Sequence, residues 1–231
     1  MIQQINTYLS ERKTRKYCSA LHQKYREYTM ISQHRYIYNL QLAQSYEKIE
    51  GAIVECGTWR GGMIAGIAER LGPKRGYYLY DSFEGLPPAT EIDGKDAIAW
   101  QSDTEANNYY DNCKAEESFA HEAMKLSGAT NVKITKGWFS DTLPHYDGPE
   151  IAILRLDGDW YESTMQCLEN LYPAVKEGGI VILDDYHYWD GFSKAVHEYL
   201  TRIESSSRVY QFHDSRLAYI IKQEQKAQNQ K

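Results

Sequence analysis

The sequence predicts a doubly wound α/β fold: a seven-stranded, mostly parallel sheet with helices on both faces and a terminal antiparallel hairpin. Three observations predict it. Short apolar strands alternate with helical segments along the chain, the pattern of a parallel sheet covered on both sides. The runs AIV at 52–54 and GIVIL at 179–183 are continuously apolar, as central parallel strands require. The last two strands are separated only by His213–Arg216, which is too short for a crossover and permits only a hairpin.

The elements follow in order. The first fifty residues read as helical and polar, with many tyrosines. Ala52–Cys56 is the first strand, ending at a glycine, and Met63–Leu71 has helical periodicity. Gly76–Asp81 is the second strand and ends in an acid. Thr90–Asn112 is acidic and irregular, and reads as a surface insertion or lid. His121–Ser127 reads as the end of a helix, and Asn131–Thr135 as the third strand. Glu150–Asp157 is the fourth strand, followed by a helix over Met165–Val175 whose last turns Pro173 should loosen. Gly179–Asp184 is the fifth strand, Phe192–Ile203 a helix, and Arg208–Phe212 and Leu217–Ile221 the closing hairpin. The tail KQEQKAQNQK reads as a frayed end. This divides the chain into an N-terminal helical segment, 1–50, acting as lid or oligomer contact, and a main domain, 51–223. Deleting the first forty residues should then leave a folded sheet.

The 231 residues suit one domain with a substantial core. A formal net charge of −6, with no basic stripe, excludes a nucleic-acid binder of the usual kind. Cys18, Cys56, Cys113 and Cys167 form no CxxC pair, which argues against zinc and for reduced thiols in a cytoplasmic protein. The opening residues lack the apolar core of a signal peptide, and no stretch approaches the roughly 20 apolar residues of a membrane span.

The strongest motif is GAIVECGTWRGG, Gly51–Gly62. A strand delivers Glu55 and Gly57 to a tight turn, and Gly61–Gly62 open a helix. The glycine spacing is not GxGxxG, so a pyrophosphate-binding turn is disfavoured. Glu55 would repel an anionic ligand but accept a cofactor carrying an ammonium and a sulfonium. The same motif also suits a purely structural strand-turn-helix corner. Asp81 at the end of the next strand suits the two hydroxyls of a ribose, or a turn. In KGWFSDTLP, Lys136–Pro144, either Trp138 or Phe139 could stack on an adenine and Ser140 bond its edge, or both aromatics could be core.

Asp157 closes the fourth strand in LRLDGDWYEST, and Asp184 and Asp185 close the fifth in GIVILDDYHYWDG. Adjacent strands lie about 5 Å apart, and their carboxyl ends form the crevice where ligands bind in such sheets. Three carboxylates converging there repel one another, and an oxygen-only cluster favours Mg2+ over zinc. Alternatively, the acids cap the helices that follow. His187 suggests a weak substrate role, and Tyr186 and Trp189 either wall an acceptor pocket or pack. Cys56 reads as a small buried hydrophobe.

With these motifs in view, the chain resembles the macrocin O-methyltransferase family, which methylates sugar hydroxyls on macrolides and related natural products. The resemblance runs from YTMISQHRYIYNLQ (Tyr28–Gln41) through ECGTWRGG, YDSFEGLP (Tyr80–Pro87), KGWFSDTLP and LRLDGDWYEST to GGIVILDDYHYWDGFSKAVHEYL. Thr90–Asn112 carries no family signature. The resemblance implies a Rossmann-like class I methyltransferase fold, S-adenosyl-L-methionine as cofactor and Mg2+ as metal. It implies that Glu55, Gly57 and Gly61 hold the methionine part, Asp81 the ribose and Trp138 the adenine, with Thr29 and Met30 on a lid. Trp59, Gly62, Ser82 and Ser140 complete the cofactor set. Asp157, Asp184 and Asp185 are the implied metal ligands, with Asp157 also the general base. The partner is a small-molecule hydroxyl acceptor, a glycosylated natural product, with no nucleic acid or membrane, in a homo-oligomer. A catechol-type O-methyltransferase and a non-catalytic cofactor-binding protein are the alternatives, separable by comparing sugar and catechol acceptors.

Overall fold

The computed structural model describes residues 2–213 and 215–223; the predicted frayed tail lies, from residue 224 on, outside them. In chain order the elements are α1 (Ile2–Tyr25), α2 (Gln33–Ser45), β1 (Ala52–Cys56), α3 (Gly62–Leu71), β2 (Gly76–Asp81), α4 (Lys95–Ser102), α5 (Glu117–Ser127) and β3 (Asn131–Lys136). There follow α6 (Phe139–Thr142), β4 (Ile151–Leu156), α7 (Tyr161–Leu171), β5 (Val175–Leu183), α8 (Asp190–Arg202), β6 (Val209–Gln211) and β7 (Ala218–Ile221). The seven strands form one sheet in the order β3-β2-β1-β4-β5-β7-β6. β1 to β5 are parallel, while β7 runs antiparallel to both β5 and β6, the predicted hairpin.

The burial pattern follows from this order. Every residue of the central strands β1 and β4 is buried, whereas edge strand β3 alternates between exposed and half-buried positions. One face of the sheet packs on α1, α2, α3 and α5 through Leu21, Tyr36, Leu40, Ile64 and Met124. The other packs on α7 and α8 through Leu168, Leu171, Phe192 and Val196. Fully burying one such aliphatic side chain contributes about 1.5–3 kcal/mol.

Three sequence expectations need correction. The helix expected over Met165–Val175 spans Tyr161–Leu171; Pro173 lies beyond its end, and Val175 already pairs with Ile151 in the sheet. Its early start has a cause far away in sequence, because Asp93 Oδ1 accepts the Tyr161 N–H at 2.7 Å. Thr90–Asn112 is not irregular throughout: Thr90 and Asp93 form a reciprocal capping box, α4 follows, and Gln101 bonds Pro87 and Asn112. This segment is fastened to the domain as a wall. Finally, α1 and α2 supply Cys18, Leu21, Tyr25, Tyr36 and Leu40 to the core, so deleting the first forty residues would strip one face of the sheet.

Candidate functional site

The strand order reverses between β1 and β4, and ligands bind at such switch points, beyond the carboxyl ends of the strands. A cavity of about 800 Å³ opens there. Glu55, Gly57, Trp59, Asp81 and Ser82 line one side, and Asp157, Asp184 and Asp185 the other. Thr29 and Met30, Trp138 and Ser140 also reach the wall, as the sequence led us to expect. All five tryptophans of the chain, Trp59, Trp100, Trp138, Trp160 and Trp189, line it. Gly61 and Gly62 are not among the wall residues. A Cβ on Gly62 would lie 2.5 Å from the Tyr28 carbonyl oxygen, and one on Gly61 3.0 Å from Ala120. These two glycines let the Tyr28–Thr29 backbone and α5 close onto the start of α3.

The two halves of the cavity touch at Gly57. Its φ is +80°, and a Cβ there would fall 1.8 Å from the Asp157 carbonyl oxygen. Only glycine fits, because the backbones leaving β1 and β4 come into contact at that point. Trp59 and Asp159, both on the cavity wall, adopt positive φ without being glycine (48° and 57°), so strained backbone collects at the site.

Asp81 serves as the turn former that the sequence offered as one alternative. Its Oδ2 accepts the N–H groups of Thr58 and Trp59, and its Oδ1 that of Phe83, each at 2.7 Å. A carboxylate offers about four acceptor positions, so one remains toward the cavity. Trp138 is exposed and lines the cavity, which excludes the core alternative for it. Phe139 also lines the cavity, while packing partly into the core beside Gly158.

The three aspartates converge: one oxygen from each lies within 4.8 Å of the others. They do not cap helices. Neither α7 nor α8 has a side-chain cap at its N-cap residue, and Asp93 supplies the bond at the start of α7. His187 is exposed and, like Tyr186, is not a wall residue; Tyr186 instead bonds His197 at 2.7 Å. Trp189 does reach the cavity, and its Nε1 donates to Asp159 Oδ1 at 2.8 Å. The four cysteines are free, and Cys56 is buried.

Sequence reasoning passed over the cations that hold these acids. Arg155 stands opposite Glu55 in the parallel ladder and is 1 % exposed. Its Nη1 donates to Glu55 at 3.0 Å and to Asp157 at 2.7 Å, and its Nε to Asn39 at 3.2 Å. Its Nη2 lies 2.8 Å from Asp184 Oδ1, yet neither atom is in an aligned hydrogen bond. Arg35, from the first turn of α2, donates through Nη2 to Asp184 Oδ2 at 2.8 Å and to the Asp184 carbonyl at 2.6 Å. The signal was present in LRLD, since a charged residue inside a buried strand needs partners. Asp159 was likewise quoted in the motif but given no role.

These pairings sort the acids electrostatically. Burial pushes Glu55 up to about 7, against the pull of Arg155 and the Thr58 hydroxyl. Burial also raises Asp159 to about 8, with repulsion from Asp157 adding to it. Asp185 is driven well above the usual carboxylate range by burial and by its three acidic neighbours. Asp184 goes the other way: burial opposes ionisation, but Arg155 and Arg35 outweigh it.

Comparison with known proteins agrees with this geometry. A family model described as macrocin-O-methyltransferase (TylF) matches residues 4–211. The 8-demethyl-8-(2,3-dimethoxy-alpha-L-rhamnosyl)-tetracenomycin-C 4'-O-methyltransferase of Streptomyces olivaceus is 36% identical over 160 residues, 67% of this chain and 59% of that protein. The demethyldecarbamoylnovobiocin O-methyltransferase of Streptomyces niveus is 34% identical over 162 residues, 68% of this chain and 60% of that protein. The matched region thus spans about 60% of the length of these curated relatives. Among solved structures, the O-methyltransferase NovP superimposes with a TM-score of 0.69 at 30% identity, covering 85% of this chain and 83% of NovP. The calicheamicin methyltransferase CalS11 shares the fold, with a TM-score of 0.56 at 18% identity over 79% of this chain and 77% of CalS11.

Proposed function

The chain belongs to the macrocin O-methyltransferase family, with the Rossmann-like class I methyltransferase fold, and on that premise we propose that it methylates a hydroxyl oxygen, on a sugar of a natural product, using S-adenosyl-L-methionine and Mg2+. One observation carries the proposal. A cofactor-type pair, Glu55 and Asp81, and a cluster of three aspartates face one cavity, with Asp157 backed directly against the Gly57 turn.

The residues fit both groups. Glu55 is a buried carboxylate on the cavity wall, suited to an ammonium, and Asp81 keeps one acceptor position for a ribose hydroxyl. Trp138, Trp59 and Ser140 supply an aromatic and polar surface for a purine. On the metal side, Asp157, Asp159, Asp184 and Asp185 outnumber the two arginines that face them among the described residues, Arg35 and Arg155. The upward shifts of Asp159 and Asp185 reflect burial and that crowding of acids, which a divalent cation would relieve. Asp184 Oδ1 faces Arg155 Nη2 at 2.8 Å without an aligned hydrogen bond, so it keeps acceptor capacity that a hard cation would use. Asp157, Asp184 and Asp185 would hold that cation.

S-adenosyl-L-methionine supplies an electrophilic methyl when bound, and the cation lowers the pKa of a nearby hydroxyl. The protein's own part is positioning and proton transfer. Asp157, fixed by Arg155, takes the proton from the acceptor hydroxyl. The aromatic wall of Trp100, Trp160 and Trp189, with ring centroids 5.2–6.1 Å apart, gives the acceptor an apolar face to lie against. The Thr29–Ser32 stretch, on the cavity rim, excludes water when ligands fill the site.

Calorimetry on the purified protein tests the cofactor, with micromolar-range binding expected, roughly −8 kcal/mol. Methyl transfer to glycosylated and catechol acceptors, before and after chelation, tests the rest. Turnover on the sugar acceptor should vanish on chelation and return with Mg2+. Binding of NAD in place of S-adenosyl-L-methionine, or turnover indifferent to chelation, would sink the proposal.

A further inference from the structure

We propose that Arg35 is a resident counter-cation of the acidic cluster, one that gives up Asp184 when a divalent cation loads, so that metal binding and the setting of the Thr29–Arg35 segment are a single event. The inference rests on the metal reading of Asp157, Asp184 and Asp185 given above.

Asp184 is engaged on both oxygens by guanidinium groups, Arg35 at Oδ2 and Arg155 at Oδ1, each at 2.8 Å. A third cation sharing this carboxylate must weaken one of the two pairs, because like charges crowd around one anion. The two arginines are not equally able to yield. Arg155 is 1 % exposed and holds Glu55, Asp157 and Asn39 besides Asp184. Pulling it away would strand a buried charge and several partners, the most costly kind of loss. Arg35 has a side chain 19% exposed, and its Nε has no hydrogen-bond partner. Beyond Asp184, its guanidinium is held by the charges of Asp185 and Asp157 without a hydrogen bond to either and lies over the exposed ring of Tyr188, with the guanidinium carbon 4.5 Å from the centroid. A guanidinium can keep such a face-on aromatic contact while turning toward solvent.

Arg35 also sits where its movement would be felt. It lies in the first turn of α2, directly after the Thr29–Ser32 stretch that lines the cavity. The Arg35–Asp184 contacts join this turn to the end of β5, while the neighbouring Tyr36 is buried and donates to the Gly62 carbonyl at 2.8 Å, so a change at Arg35 bears on the segment that precedes it rather than on the rest of α2. With the metal side empty, Arg35 neutralises part of the excess acid. With it loaded, the same residue is free to face the acceptor.

The test is Mn2+ binding by Arg35→Met, a neutral variant of similar reach, beside the wild type and Arg35→Lys, followed by calorimetry and by electron paramagnetic resonance of the free ion. Removing a competing charge should tighten Mn2+ binding on the order of tenfold in Arg35→Met, while Arg35→Lys should stay near the wild type. Hydrogen exchange supplies a readout independent of affinity. Mn2+ should change exchange across 29–35 in the wild type, and the Met variant should show the altered exchange before metal is added. Weaker or unchanged binding in Arg35→Met would mean that Arg35 orients Asp184 as a ligand, which overturns this inference and leaves the metal site standing. Absence of Mn2+ binding in the wild type as well would overturn the metal reading itself, and the inference with it. A thermal melt by circular dichroism confirms that each variant is folded.

Discussion

Asp157 and Asp184 are adjacent in space, yet their substitution should have different consequences. Asp157→Asn removes a proton acceptor while an amide oxygen can still receive the Arg155 hydrogen bond. Turnover should fall on the order of 10²-fold or more, excess Mg2+ should not restore it, and calorimetric cofactor affinity should persist because Glu55 and Asp81 are intact. Asp184→Asn leaves two guanidinium groups facing a neutral amide, and Asp184 is 2% exposed. Breaking such a buried pair typically costs about 3–5 kcal/mol, so this variant should lose stability in a denaturant melt as well as metal. Equal loss of turnover with no difference in stability would contradict the assignment. Glu55 carries a pH signature. Its folded pKa, about 7, is raised above the ordinary carboxylate value, so its contribution to stability is present at low pH and is lost as pH rises toward 7. A bound ammonium favours the ionised form and lowers that pKa again. Cofactor binding near pH 6.5 should therefore release a proton, read from calorimetry in buffers of different ionisation enthalpy, and Glu55→Gln should abolish the release. The residues that sequence made legible were those at strand ends, where Glu55, Asp81, Asp157 and Asp184–Asp185 stand in order. Arg155 was passed over because, besides Asp157 two residues on, its partners Glu55 and Asn39 lie on distant parts of the chain that only the fold brings together.

At the scale of elements, regular pieces were legible and their fastenings were not. The strands β1 and β2 fall where alternation of apolar runs and glycine turns put them. The start of α7 did not, because its first N–H is satisfied by Asp93, from a segment that reads as irregular. Asp93 is 3% exposed and binds in two directions, with Oδ1 on Tyr161 and Oδ2 on the Thr90 N–H and hydroxyl. Asp93→Ala should cost about 1–2 kcal/mol of stability, the upper range for a lost cap. It should also raise KM for the acceptor more than for the cofactor if the acceptor lies, as proposed, against Trp100, which α4 carries to the cavity wall beside Trp189. A uniform rise in both constants would show that the segment serves only packing. Similarly, the polar surface of α1 and α2 suggested a detachable lid, whereas their buried stripes of Leu21, Tyr25, Tyr36 and Leu40 make them part of the core.

For the whole molecule, the reversal of strand order between β1 and β4 brings Glu55 and Asp81 to one crevice with Asp157, Asp184 and Asp185 although the two sets lie far apart in the chain. That convergence was legible, because a parallel sheet sends all its carboxyl ends the same way. The aromatic lining was legible in part: the sequence pointed to Trp59, Trp138 and, as one alternative, Trp189, but gave Trp100 and Trp160 no role, since their place on the wall depends on how the loops fold. The gathering of the tryptophans gives the protein an optical property. Every indole in the chain borders the same space, so light absorbed at the red edge of the ultraviolet band is emitted by side chains that all line this cavity. The emission colour of the unlabelled protein is thus a gauge of how wet that chamber is, shifting to the blue as a ligand drives water from around the rings.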